Sequence, residues 1–525
     1  MSDSEVSTIP SALAAAVAQH GDRVAVVDGD TSVTYADLAE RARSFGAGLI
    51  HRGVRPGDRV AIWAPNSLRW IEALLGLSCA GATLVPVNTR FKGDEAAVVL
   101  SRSGARALVT VTDFLGADHV AMLRSSTTEL PHLETIVVAD GPLAPGTVAW
   151  EELLSSAGEQ DLVELDRRAA AVIPQDTCDI LFTSGTTGVP KGVVQTHAGT
   201  LGVARDWVAM TGITSDDRYL MVNPYFHMFG LKAGILASLV AGLVMYPVPV
   251  FDADAVLEAV ERQRITVLPG APTLYQSILD GASEGGRDLS SLRVAVTGAA
   301  DIPVTLIRRV MDELPFQVVL AGYGLSEGGT ATATEPGDPP EAVATTVGVP
   351  RPSFELRIVD GDGNEVAAGE TGEILLRGRT VMSHYLDDPE ATAEALSPEG
   401  WLRTGDLGVI GEDGRLRIVG RAKDMFIVGG FNAYPAEIEN LLLGHPEVRQ
   451  AAVIGVPDER LGEVGMAFVV LEPGAAVTPD ELIAWAREHM ANYKVPRRVE
   501  VIDELPINAA GKVEKVTLCA RAGIT

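Results

Sequence analysis

Between Asp179 and Val193 the chain reads DILFTSGTTGVPKGV, a hydrophobic run followed by Thr183, Ser184, Gly185, Thr186, Thr187, Gly188 and Lys191. Glycines let main-chain N–H groups turn toward an anion, hydroxyls add donors and the lysine adds charge, so the composition suits a polyphosphate. It is not a Walker A loop, because Pro190 takes the glycine place before Lys191 and Gly192 the Ser/Thr place after it. The same residues would also make an ordinary flexible Gly/Thr loop.

Further stretches carry reactive side chains. NPYFHMFG (223–230) sets His227 among aromatic residues, either as the wall of an apolar pocket or as a core histidine. YGLSEGG (323–329) offers Tyr323, Ser326 and Glu327. Its GLSEG fits the G-x-S-x-G elbow of a serine nucleophile, which needs an Asp/Glu and then a His downstream. His384, His445 and His489 follow, but none lies in a convincing catalytic loop. WLRTGDLG (401–408) places Asp406 in a Gly-Asp turn, where a carboxylate can accept hydrogen bonds from a ribose diol. GRAKD (420–424) adds Arg421 and Lys423, and LPINAAGKVEK (505–515) is a polar loop with Lys512. Taken singly, each of these is a common turn, hairpin or surface lysine.

The elements that must position these residues follow from periodicity. Helical segments alternate with short β-branched runs: TYADLAERARSFGAGLIHRG then DRVAIWA, SLRWIEALLGLSCAG then TLVPV, ADAVLEAVERQR then ITVLPG. That alternation predicts parallel sheets covered by helices. LRVAVTGAA and FQVVLAGYG read as strands ending in glycine turns, where open α/β sheets place their ligands. The uncharged run Ala233 to Phe251 is cut by Gly242, Pro247 and Pro249, so it reads as a buried helix and a strand rather than a membrane span. The opening SALAAAVAQH reads as an amphipathic first helix, since no positive n-region precedes it. From about residue 350 short strands with Gly/Asp turns take over, and the last hundred residues return to mixed α/β. The expected fold class is α/β: a large N-terminal domain (1–420) of two mostly parallel α/β sheets with a β-rich subdomain (about 345–420), and a small α+β C-terminal domain (421–525).

A chain of 525 residues exceeds one hydrophobic core and has room to bury substrates between units. A net charge of −28 argues against a nucleic-acid or anionic-membrane surface, so an anionic ligand must meet locally arranged donors. Cys79, Cys178 and Cys519 are odd in number and far apart, which suggests neither a disulfide framework nor a zinc site and suits a reducing cytoplasm.

Together, TSGTTGVPKG, YGLSE, WLRTGD, GRAKD and PINAAGK resemble, in identity, order and spacing, the adenylate-forming enzymes: acyl-CoA synthetases, peptide-synthetase adenylation domains and beetle luciferases. The resemblance implies ATP, Mg²⁺ and coenzyme A as cofactors. It implies that Thr183, Ser184, Gly185, Thr186, Thr187 and Lys191 hold the β- and γ-phosphates, and that Gly298, Ala299, Ala300 and Tyr323 line the adenine site. Ser326, where the family usually has threonine, would contact the AMP phosphate, and Glu327 would hold the metal. Asp406 and Arg421 would hold the ribose. Lys512 would bridge the substrate carboxylate and the α-phosphate. His227 would sit where acyl pocket and thiol tunnel meet. The C-terminal domain would be mobile, swinging about Lys423, where the family often has Asp, to bring Gly429 and Gly430 to the thiol tunnel.

NPYFHMFG lacks the aspartate that amino-acid adenylation domains keep for an α-amine, so a non-amino acid is expected. No carrier domain follows Lys512, which favours free coenzyme A. SDDRYLMVNPYFHMFGLKAGILA, RITVLPGAPTLYQSILD and GGFNAYPAEIE further resemble bacterial synthetases that activate the ring-C/D propanoate left from steroid degradation. A medium- or long-chain fatty acid is the alternative substrate; a serine hydrolase or a non-catalytic binding protein is the alternative class. A homodimer stays open as an assembly.

Overall fold

The computed structural model describes residues 6–183, 190–283, 286–298, 304–428, 431–458, 460–507 and 513–524. An eight-stranded sheet runs in the order His384–Tyr385, Lys191–Thr196, Thr177–Thr183, Thr83–Pro86, Arg59–Trp63, Ala107–Val111, Thr135–Asp140 and Val148–Ala149. The first three strands pair antiparallel and the rest parallel. Its central members RVAIW, TLVP and ALVTV are buried almost throughout, as expected for parallel strands with helices on both faces.

A second sheet system contains Arg218–Met221, Val244–Pro247, Val24–Asp28 and Thr31–Thr34 on one side. Val294–Gly298, Val318–Leu325, Gly329–Ala333 and Val349–Pro350 lie on the other. The segment ITVLPG, expected to be a strand, makes only single-residue contacts: Val267 bridges Tyr219 and Val294, both in parallel, and so joins the two halves. Proline and glycine immediately after Leu268 leave no room for a longer ladder.

The β-rich stretch forms one antiparallel sheet, Phe354–Val359, Gly372–Gly378, Leu402–Ile410 and Leu416–Arg421. Beyond it, Gly462–Leu471 pairs with Val448–Asp458, Phe426–Val428 and Arg498–Val501, and Phe431–Ala433 lies at the edge. This last sheet has a hydrophobic cluster of its own, built on residues such as Phe426, Phe468, Leu482 and Leu518.

Side-chain caps set the helices that frame the site. Thr8 caps Ile9–His20, Ser67 caps Leu68–Cys79 and Thr196 caps His197–Thr211, each by accepting an orphan main-chain N–H. The buried helix and strand expected in the apolar run after His227 are present, the helix in two forms. It starts as a π-helix, Phe229–Leu236, and becomes α-helical only over Ala237–Ala241, before the strand Val244–Pro247. Among the described residues no helix is long and apolar enough to cross a membrane.

Candidate active site

The strand Val318–Leu325 and the turn after it organise two clusters. Gly298 and Gly322 are register partners, and a Cβ on Gly298 would come within 2.5 Å of the Gly322 carbonyl oxygen, so only glycine permits this approach. One residue on, Tyr323 Oη donates to Asp406 Oδ2 at 2.6 Å. Asp406 and Arg421 are cross-strand partners in the β-rich sheet, and Arg421 Nε lies 3.1 Å from Asp406 Oδ1. Asp406 is 5% exposed, so its charge is held by a phenol and a guanidinium rather than by water. Burial, and then the adjoining carboxylate, push the Tyr323 phenol well above its ordinary value and keep it a donor. Thr404 Oγ1 accepts from Asp406 N at 3.1 Å and donates to Ile374 O at 2.8 Å, which fixes the turn.

The second cluster surrounds Glu327. Tyr385 Oη donates to Glu327 Oε1 at 2.9 Å, and Met382 N donates to Glu327 O at 2.7 Å. Tyr385 pairs with Val193 across the sheet edge, and the Lys191 ammonium stands 5.1 Å from the centre of its ring. Burial first, then the Glu327 charge, raise the Tyr385 phenol above its ordinary value, so it too remains a donor. Thr183 and Lys191 are register partners at the end of their hairpin, with Thr183 Oγ1 3.4 Å from Lys191 O. Thus Thr183, Lys191, Glu327, Tyr323, Asp406 and Arg421 are drawn together through shared strands, hydrogen bonds and one ring contact. Ser326 sits half-buried in a turn between two antiparallel strands, not in the strand-to-helix elbow that exposes a nucleophile.

Asn66, buried in the loop after Arg59–Trp63, shapes the stretch that leads to His227. Its Nδ2 donates to Met221 O and Asn223 O, and its Oδ1 accepts from Tyr225 N, at 3.0, 2.9 and 2.8 Å. His227 is half-buried, and its Nδ1 accepts from Phe229 N at 3.2 Å, which leaves Nε2 to carry the proton of the neutral ring. Of the two readings of this stretch, Tyr225 takes the core one: it is 1% exposed and packs edge-on against Trp70. Sequence reasoning missed Asn66, Tyr385 and a buried pair, Lys232 with Asp179. For the pair a signal exists: each is a lone charge inside an apolar run, and such charges are seldom buried unless paired.

Ser184, Gly185, Thr186, Thr187, Ala299, Ala300, Gly429, Gly430 and Lys512 lie outside the described residues. A cavity of about 480 Å³ opens elsewhere, lined by Arg59, Thr83 and Thr177, the first residues of their parallel strands. Parallel sheets bind ligands beyond the opposite, carboxyl ends, where Thr183 and Gly298 lie, so the motif cluster rather than this cavity is the candidate site.

Comparison with known proteins identifies the family. Residues 13–386 match the AMP-binding enzyme family and residues 437–512 the AMP-binding enzyme C-terminal domain. A (7a-methyl-1,5-dioxo-octahydro-1H-inden-4-yl)propanoyl:CoA ligase of Rhodococcus jostii (strain RHA1) is 48% identical, over 98% of both chains. A ligase of the same name from Mycobacterium tuberculosis (strain ATCC 25618 / H37Rv) is 50% identical, over 98% of this chain and 99% of its own. The crystal structure of the anthranilate CoA ligase AuaEII in complex with anthranoyl-AMP superposes with a TM-score of 0.89 at 28% identity, covering 99% of each chain. The chain belongs to the AMP-binding enzyme family of adenylate-forming ligases.

Proposed function

We propose that this chain is an AMP-forming acyl-CoA synthetase whose acid is a bicyclic indanedione propanoate, the ring-C/D remnant of a steroid. The observation that carries the ligase reading is the Tyr323–Asp406–Arg421 cluster, a buried carboxylate with a phenol donor and a guanidinium beside it at the carboxyl end of a parallel strand, joined by one turn to Glu327. The substrate reading is supported by the two relatives, about half identical over nearly their whole length and named for that acid.

The reaction runs in two halves. A substrate carboxylate oxygen attacks the α-phosphorus of ATP, the bond to the β-phosphate breaks, and pyrophosphate leaves. The thiol sulfur of coenzyme A then attacks the acyl carbon of the mixed anhydride, the anhydride C–O bond breaks, and AMP leaves with its electron pair. In our reading Asp406 and Arg421 hold the ribose, and Tyr323 packs on the adenine beside Gly298. Thr183 and Lys191 flank the phosphate loop 184–189. Ser326 meets the AMP phosphate and His227 stands between acid and thiol. Lys512 bridges carboxylate and α-phosphate in the first half. The segment beyond Arg421 swings about Lys423 for the second half and presents Gly429 and Gly430 to the thiol, excluding water from the adenylate. ATP and coenzyme A are the co-substrates, and the reading places the reaction in the cytoplasm, where both are available.

The residues present fit Mg²⁺. Glu327 is an oxygen donor kept in place by Tyr385, and among the described residues no cluster of three metal-binding side chains exists. That suits a hard cation bound by one or two carboxylates and substrate phosphates rather than an all-protein cage. Bound there, Mg²⁺ would neutralise phosphate charge. Tyr385→Phe deletes a hydrogen bond to a charged group, an interaction of about 1.5–3 kcal/mol, and should raise the Mg²⁺ needed for half-maximal ATP–pyrophosphate exchange by about 10-fold or more. An unchanged Mg²⁺ titration would remove Tyr385 from this role.

The substrate test runs the bicyclic propanoate beside octanoate and follows pyrophosphate and acyl-CoA together. The bicyclic acid is expected to lead in kcat/KM by about 10²-fold, the scale on which an apolar pocket separates shapes. Faster turnover of octanoate would replace the steroid assignment with a fatty acid. Pyrophosphate without thioester would retain adenylation and remove coenzyme A as the acceptor.

A further inference from the structure

We propose that the buried ion pair Lys232–Asp179 is a positioning device, one that sets the placement of the turn carrying His227 relative to the strand Thr177–Thr183. The inference rests on the ligase reading above. Lys232 Nζ lies 3.1 Å from Asp179 Oδ1, and both side chains are 1% exposed. Thr200 Oγ1 donates to the other carboxylate oxygen of Asp179.

Three elements are thereby tied at one carboxylate. Asp179 lies on the strand Thr177–Thr183, which runs into the phosphate loop. Lys232 lies on the π-helix that directly follows His227. Thr200 lies on His197–Thr211, the helix that follows the strand returning from the loop. A π-turn is a rare, wide helical turn that recurs at functional sites. Here it contains the lysine that enters the core.

Core cohesion alone does not require this arrangement. Well-packed apolar residues of similar volume commonly replace a buried ion pair without loss of stability, because desolvation offsets the attraction between the charges. An apolar contact, however, tolerates sliding. A lysine and a carboxylate in buried ionic contact fix the register of their two elements, the best-attested use of buried ionic groups. The register fixed here lies between one segment that would hold the phosphates and another that would hold the acid. Attack of the carboxylate on the α-phosphorus depends on that separation, and displacement by about 1 Å is enough to cost two orders of magnitude in rate.

The test uses the double variant Asp179→Leu/Lys232→Met, which removes both charges and leaves neither buried alone. Melting temperature is measured, as are dissociation constants for ATP, for the acid, and for a non-hydrolysable acyl-sulfamoyl adenosine that carries both halves in one molecule. The expected result is a wild-type-like melt and near wild-type affinity for ATP and acid separately. Affinity for the joined analogue and the adenylation rate should each fall by about 10-fold to 100-fold. Unchanged affinity for the joined analogue would overturn the proposal. So would equal losses on all three ligands, or failure of the double variant to fold, either of which would assign the pair to general structure. Bicyclic and octanoyl analogues are both used. A wrong substrate assignment then appears as a different preferred analogue in the wild type, and a wrong positioning role as an unchanged variant-to-wild-type ratio.

Discussion

Asp406→Ala is expected to raise the KM for ATP by about 10-fold to 100-fold, because it removes the carboxylate proposed to accept from the ribose, and a hydrogen bond to a charged group contributes about 1.5–3 kcal/mol. The carboxylate is 5% exposed and takes a 2.6 Å hydrogen bond from Tyr323 together with the Arg421 guanidinium. Its removal leaves the Tyr323 hydroxyl without its acceptor and Arg421 without its counter-charge, and takes away the proposed ribose contact. Asp406→Asn keeps the shape and one acceptor oxygen, so it should fall between alanine and wild type. ATP titrations of pyrophosphate release with all three proteins provide the check. A KM for ATP unchanged in the alanine variant would move the ribose elsewhere.

Lys512→Ala should separate the two half-reactions. Adenylation is expected to fall by about 10²- to 10³-fold, the effect of deleting one preorganised donor where charge develops. Thioester formation from separately supplied acyl-adenylate should remain within a few-fold of wild type, since in this reading Lys512 has left the site by then. Both rates are read in single-turnover assays. Equal loss in both halves would mean that Lys512 serves the closed site throughout, and no loss in adenylation would end its assignment. Because Lys512 lies outside the described residues, this prediction rests on its place in PINAAGK.

Much of the site was legible because its members sit in short polar interruptions of apolar sequence. TSGTTGVPKG, YGLSE and WLRTGD each follow or lie within a strand, and the glycine that ends the neighbouring strand Val294–Gly298 makes a close backbone approach to Gly322. Tyr385 was not legible. It belongs to a two-residue strand, too short for any alternation, and its role arises only because that strand joins the sheet edge next to Lys191 and turns its hydroxyl to Glu327. Asn66 was hidden for a similar reason: a lone asparagine in a loop acquires meaning only when the chain returns at Met221 to Tyr225 and offers it three main-chain partners. The π-helix escaped as well, since an apolar run has the same composition in either helical form.

By itself the amino-acid sequence determined the α/β class, the alternation of helices with strands and the family, because burial periodicity and glycine-rich turns are local properties of the chain. Tertiary structure alone decided which charges meet. Asp406 finds Arg421 by strand register, Glu327 finds Tyr385 across two sheets, and Lys232 finds Asp179 through the core. The physical reason is that a buried charge must be paired, whereas the partner's distance along the chain has no bearing on the energy of the contact.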